Sequence, residues 1–73
     1  MPIWVDWNRT PVSVHGDDAE QLELLILHLR NQYNVRRRSI VMPDRESGGS
    51  LFFIYQACNP MWIAEFLNIS EGD

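Results

Sequence analysis

The chain has 73 residues, a single cysteine and a formal net charge of −4. That length suits one domain, and one this small buries only about 60% of the surface its unfolded chain exposes. Cys58 has no second cysteine to pair with. Cys58, His15 and His28 match none of the paired spacings of zinc sites, so neither a disulfide nor a metal is expected to reinforce the core. Large aromatics are expected to do so instead, namely Trp4, Trp7, Trp62, Phe52, Phe53, Phe66, Tyr33 and Tyr55, or else self-association as a homodimer.

Residues 2–7 alternate, with Ile3, Val5 and Trp7 on one side and Trp4 and Asp6 on the other, which is strand periodicity. Asn8-Arg9-Thr10-Pro11 is a turn cluster. Val12 and Val14 then alternate with Ser13 and His15, so a first β-hairpin is expected. Gly16 breaks it. Asp17 reads as a helix N-cap, with Glu20 three residues on as in a capping box. Asp18, Glu20 and Glu23 put negative charge near the positive end of the helix dipole.

The helix is expected from about Asp18 to about Tyr33, closed by Asn34 in a left-handed conformation. Leu22, Leu25, Ile26, Leu29 and Tyr33 share one stripe, which is the core face. Leu24 and Leu27 fall nearly opposite. They either meet a second layer, such as the C-terminal helix, or form an exposed apolar patch for a partner.

Val35 to Met42 reads as a strand, basic in its first half and apolar in its second, with Arg36 and Arg38 on one face and Arg37 on the other. Residues 43–50 are a polar loop by composition. Leu51 to Cys58 is apolar on both parities, so it is expected centrally in the sheet. Asn59-Pro60 starts a helix, with Asn as N-cap and Pro in the first turn. Trp62, Ile63, Phe66, Leu67 and Ile69 form its apolar arc, with Met61, Glu65 and Asn68 opposite. Ser70 to Asp73 reads as a frayed tail. The order is ββαββα, and the expected fold is a small single α+β domain over residues 1–73. Its four-stranded sheet, antiparallel or mixed, carries one long and one short helix on one side.

All the basic side chains are arginines: Arg9, Arg30, Arg36, Arg37, Arg38 and Arg45. Residues 1–29 hold five carboxylates and one arginine, residues 30–38 hold four arginines, and residues 39–73 again hold five carboxylates and one arginine. A basic strip thus lies between two acidic segments. It either pairs with the chain's own carboxylates across a sheet or waits for a partner, since guanidinium groups make forked contacts with carboxylates and phosphates.

No catalytic signature is present: no P-loop, GxGxxG, GxSxG or HExxH pattern. Cys58 before a helix start has the setting of a lowered thiol pKa, yet it also reads as a small buried hydrophobe. His28 reads as solvated, and His15 as a residue explained by local capping. Asp17, Asp18, Glu20 and Glu23 lack EF-hand spacing. No cofactor is expected. Asn68-Ile69-Ser70 matches a glycosylation sequon. The first residues carry no basic region and no long apolar run, which argues against a secretion signal or a membrane span. The sequon is therefore read as coincidence, and a cytoplasmic location with no membrane partner is expected.

These features point to a non-catalytic protein-binding module, a small acidic inhibitor or adaptor. One concrete form is a phage or mobile-element protein that acts on a host nucleic-acid-handling protein, its carboxylates standing in for phosphates. The expected partner-binding residues are Arg36, Arg37 and Arg38, the acids Asp17, Asp18, Glu20 and Glu23, and the pair Leu24 and Leu27. The alternative is a nucleic-acid-binding domain that uses the Arg36–Arg38 strip, whose affinity falls steeply with salt.

Overall fold

The computed structural model describes residues 3–46 and 48–71. Two strands, β1 (Ile3–Asp6) and β2 (Val12–Gly16), precede the helix α1 (Ala19–Tyr33). A two-residue strand β3 (Met42–Pro43), a longer strand β4 (Ser50–Ile54) and the helix α2 (Pro60–Glu71) follow. The strands form one sheet in the order β1-β2-β4-β3, and every pairing is antiparallel. The fold is therefore α+β, with β4 at the centre of the sheet beside β2.

Both helices pack on one face of this sheet. Val14, Phe52 and Ile54 point to that face, where they meet Leu22, Leu25, Ile26 and Leu29 of α1 and Ile63 and Phe66 of α2. Each fully buried leucine contributes about 1.5–3 kcal/mol of transfer free energy. The expected α1 stripe is thus the core face. Tyr33, at its end, is only half-buried, and its ring stacks on Trp62 with centroids 4.5 Å apart.

Several boundaries differ from the sequence reading, each for a local reason. The N-cap of α1 is Asp18, not Asp17: the Asp18 backbone is extended and its carboxylate accepts the Glu20 N–H. Asn34 closes α1 in the left-handed region at φ 57°, as expected. Residues 35–42 do not form a continuous strand. Side chains replace the ladder there. Gln56 Oε1 accepts both the Arg36 and Arg37 N–H groups. The Ser39 hydroxyl oxygen accepts the Phe53 N–H. Only the Arg38–Ile54 bridge and β3 pair as backbone. Pro43, expected in a loop, sits in β3, which is an edge strand where a missing N–H does no harm.

β4 ends at Ile54 rather than Cys58, and its last backbone pairing is the Arg38–Ile54 bridge, made by Ser39 N–H to Phe53 O and Tyr55 N–H to Arg37 O. Asn59 caps α2 through its side chain, which accepts the Met61 N–H. α2 continues through Ser70 and Glu71, which were expected in a tail. Pro2, Ser47, Gly72, Asp73 and the side chain of Ile69 lie outside the described residues. The expected aromatic core holds for Phe52 and Phe66, whereas Trp4, Trp7 and Tyr55 are exposed. No helix among the described residues is long and apolar enough to cross a membrane.

Candidate functional site

The residues singled out from the sequence fall into two groups that α1 holds apart. Glu20, Glu23, Leu24 and Leu27 recur at helical spacing, so they form one outward stripe of α1. All four are exposed. Leu24 and Leu27 remain 47% and 49% exposed, so α2 does not cover them. Asp17 is exposed at the start of this stripe. Asp18 is partly occupied, since its carboxylate caps the helix. The stripe runs acidic, then apolar, and ends in Arg30 and Asn31.

The second group lies beyond the C-terminal end of α1. β2 runs into the start of α1, so the end of α1 lies by the beginning of β2 and the end of β4. Arg36, Arg37 and Arg38 track the end of β4 through Gln56 and Tyr55. Arg30, Val35, Arg36 and Arg38 line one small pocket of about 160 Å³. Among the described residues none of these three arginines makes an ion pair with a carboxylate. Arg36 Nε donates to the Asn34 side chain at 2.7 Å, and Arg38 Nη1 donates to Ser39 O at 3.2 Å. The strip is thus not consumed by carboxylates among the described residues.

A larger pocket of about 380 Å³ opens at the same end. It is lined by residues of two segments, Trp7 with residues 9–12, and residues 54–57. Trp7 and Tyr55 are 40% and 54% exposed.

Sequence reading missed a polar network on the face of the sheet away from the helices. Ser13 and His15 alternate with Val14 and so share that face. Ser13 Oγ lies 2.8 Å from His15 Nε2, and His15 Nδ1 lies 2.8 Å from Asp44 Oδ2. All three residues are buried, and the Trp4 ring stacks flat on the imidazole at 3.9 Å. With Asp44 ionised, His15 donates from Nδ1 and accepts the Ser13 hydroxyl at Nε2. This order of serine, histidine and carboxylate is the one that activates a nucleophile in acyl transfer. Here Ser13 is 0% exposed, so no substrate reaches its oxygen in this conformation. The chain of bonds ties the Asp44 turn to the centre of the sheet. A signal did exist in the sequence: a serine and a histidine two apart in a strand. Their partner lies 29 residues further on, and only the fold brings it there.

The remaining candidates have structural roles. His28, expected in solvent, is packed between the helices against Tyr33 and Phe66. Its Nε2 is 3.2 Å from Glu65 Oε1, misaligned for a hydrogen bond, which leaves that nitrogen buried without one. The Tyr33 hydroxyl donates to both Glu65 oxygens, and this bond raises its pKa above the ordinary 10.0. Partial burial raises the Cys58 thiol above its ordinary value. The described residues contain no cluster of three or more side chains able to hold a metal ion. No protein-family model matches the chain, and no curated protein or solved structure shows significant similarity to it.

Proposed function

We propose that this chain is a non-catalytic protein-binding module, an inhibitor or adaptor that engages its partner through the outer stripe of α1. The observation that carries this reading is the pair Leu24 and Leu27. They are half-exposed on a well-packed helix whose core face is complete without them. Exposed apolar side chains flanked by charge are the composition of an interface centre and its rim. Asp17, Glu20 and Glu23 suit a basic surface, such as that of a nucleic-acid-handling protein, where they would occupy the place of phosphates. The enclosed Ser13 hydroxyl also favours a non-catalytic role.

The test is affinity capture of partners after nuclease treatment, comparing the natural chain with Leu24→Asp/Leu27→Asp and with Glu20→Gln/Glu23→Gln. The expected result is one protein retained by the natural chain, lost with the leucine variant, and held more weakly and with less salt dependence by the glutamine variant. A captured set that neither variant changes would overturn the reading. The leucine variant is expected to keep its stability within about 0.5 kcal/mol, because neither side chain fills the core. Sedimentation at micromolar concentration separates self-association through the same stripe, which would appear as a dimer that the leucine variant abolishes.

A further inference from the structure

We infer that the end of the domain where α1 finishes binds single-stranded nucleic acid. Phosphate would sit among Arg30, Arg36 and Arg38, and a base would stack in the neighbouring pocket of Trp7 and Tyr55. This site is separate from the α1 stripe of the protein-binding reading.

Three guanidinium groups around one pocket repel one another, and among the described residues none of them forms an ion pair with a carboxylate. Arg30 lies in the last turn of α1, where a cation suits the helix dipole, but that does not account for Arg36 and Arg38. The α1 carbonyls of Leu29 and Arg30 already accept the Val35 and Asn34 N–H groups, and Arg36 Nε is directed to Asn34 instead. Arginine at such a site matches the geometry of a phosphate group, with two parallel bonds per fork. The second pocket adds what a bare anion site lacks. It pairs two exposed aromatic rings with Arg9, in a volume within the range of small-ligand sites. Gln56 joins the two pockets: it lines the aromatic one, while its Oε1 holds the Arg36 and Arg37 backbone. A groove of arginines beside stacking rings is how proteins hold unpaired strands, since a duplex keeps its base faces covered.

The net charge of −4 does not forbid this. Asp17, Asp18 and Glu20 lie at the opposite end of α1. With 15 residues, that helix is about 22 Å long. The Debye length at physiological salt is about 8 Å, so the acidic end is screened from the basic one.

The test uses a fluorescein-labelled oligothymidylate of about 12 nucleotides, within the span single-strand binders cover, and follows its anisotropy from low to physiological salt. Binding with a log–log salt slope of about −2 is expected for three phosphates held. Arg36→Ala/Arg38→Ala should bring that slope to about −0.7. Trp7→Leu and Tyr55→Leu should each weaken binding at least about fivefold and leave the slope unchanged. Leu24→Asp/Leu27→Asp should bind the oligonucleotide as the natural chain does, so the two sites succeed or fail independently. Circular dichroism checks that each variant is folded. Three outcomes would overturn the inference: no anisotropy change at low salt, equal affinity for a duplex of the same length, or indifference to the Trp7 and Tyr55 substitutions. The last two would mark an unspecific cationic patch or a phosphoprotein site.

Discussion

Asp44 ties its own turn to the centre of the sheet. Its carboxylate bonds His15 on β2 and accepts the Glu46 N–H within its own turn. Asp44→Ala leaves the buried His15 Nδ1 without its acceptor, so a loss of about 1–3 kcal/mol is expected in urea denaturation. Gly49 is the second sensitive residue of this turn. It sits at φ 73°, and an added Cβ would lie 2.5 Å from Gly16 O. A backbone atom cannot swing aside, so Gly49→Ala should destabilise the fold by about 1–3 kcal/mol in the same assay. Tyr33 gives the residue scale its pH dependence. Its hydroxyl donates to Glu65, so the neutral phenol is favoured and its folded pKa lies above 10.0. The stability from this bond is complete below the unfolded value and is lost as pH rises through the folded one. In a Tyr55→Phe background, absorbance at alkaline pH should show Tyr33 ionising above 10.0, and Glu65→Gln should move it down.

At the scale of elements, segment 35–42 is a strand by periodicity that folds as a side-chain-braced edge. Its amides depend on Gln56 and its partner Phe53 depends on Ser39. Gln56→Ala removes the shared acceptor of two N–H groups. Amide exchange at Arg36 and Arg37 should then accelerate about twofold to tenfold by NMR, matching the net worth of one hydrogen bond. The α1–α2 contact has a different character. There Tyr33 stacks on Trp62 while His28 meets Phe66, so aromatic surface joins the helices. Offset stacking of this kind adds about 0.5–1.5 kcal/mol beyond the area it buries.

Across the whole molecule, charge is sorted by the chain's path. Arg9, Arg30, Arg36, Arg37 and Arg38 gather where α1 ends, with Glu65 and Asp6 the carboxylates near them, and Asp17, Asp18 and Glu20 lie where it begins. The proposed protein-binding stripe runs between these poles, and the proposed nucleic-acid site occupies the basic one. Salt therefore discriminates between the functions. Oligonucleotide binding should weaken tenfold or more when salt rises about fourfold, whereas association through Leu24 and Leu27 should change less.

The α+β class, the core stripe of α1, the central position of β4 and the caps at Asn34 and Asn59 were all legible in the residues. Periodicity and capping are local, and Leu22, Leu25, Ile26 and Leu29 need only each other's spacing to declare a buried face. Part of the candidate site was legible too. A run of three arginines and two leucines opposite the core face announce themselves by type and position. Three things needed the tertiary structure. The pairing of Asp44 with His15 spans 29 residues. The meeting of Trp7, Arg9 and Tyr55 at one pocket joins segments far apart in the chain. The loss of the 35–42 ladder depends on Gln56 and Ser39 reaching backbone groups across the sheet. Side-chain bonds of that kind carry no period, so they become visible only when the strands are in register.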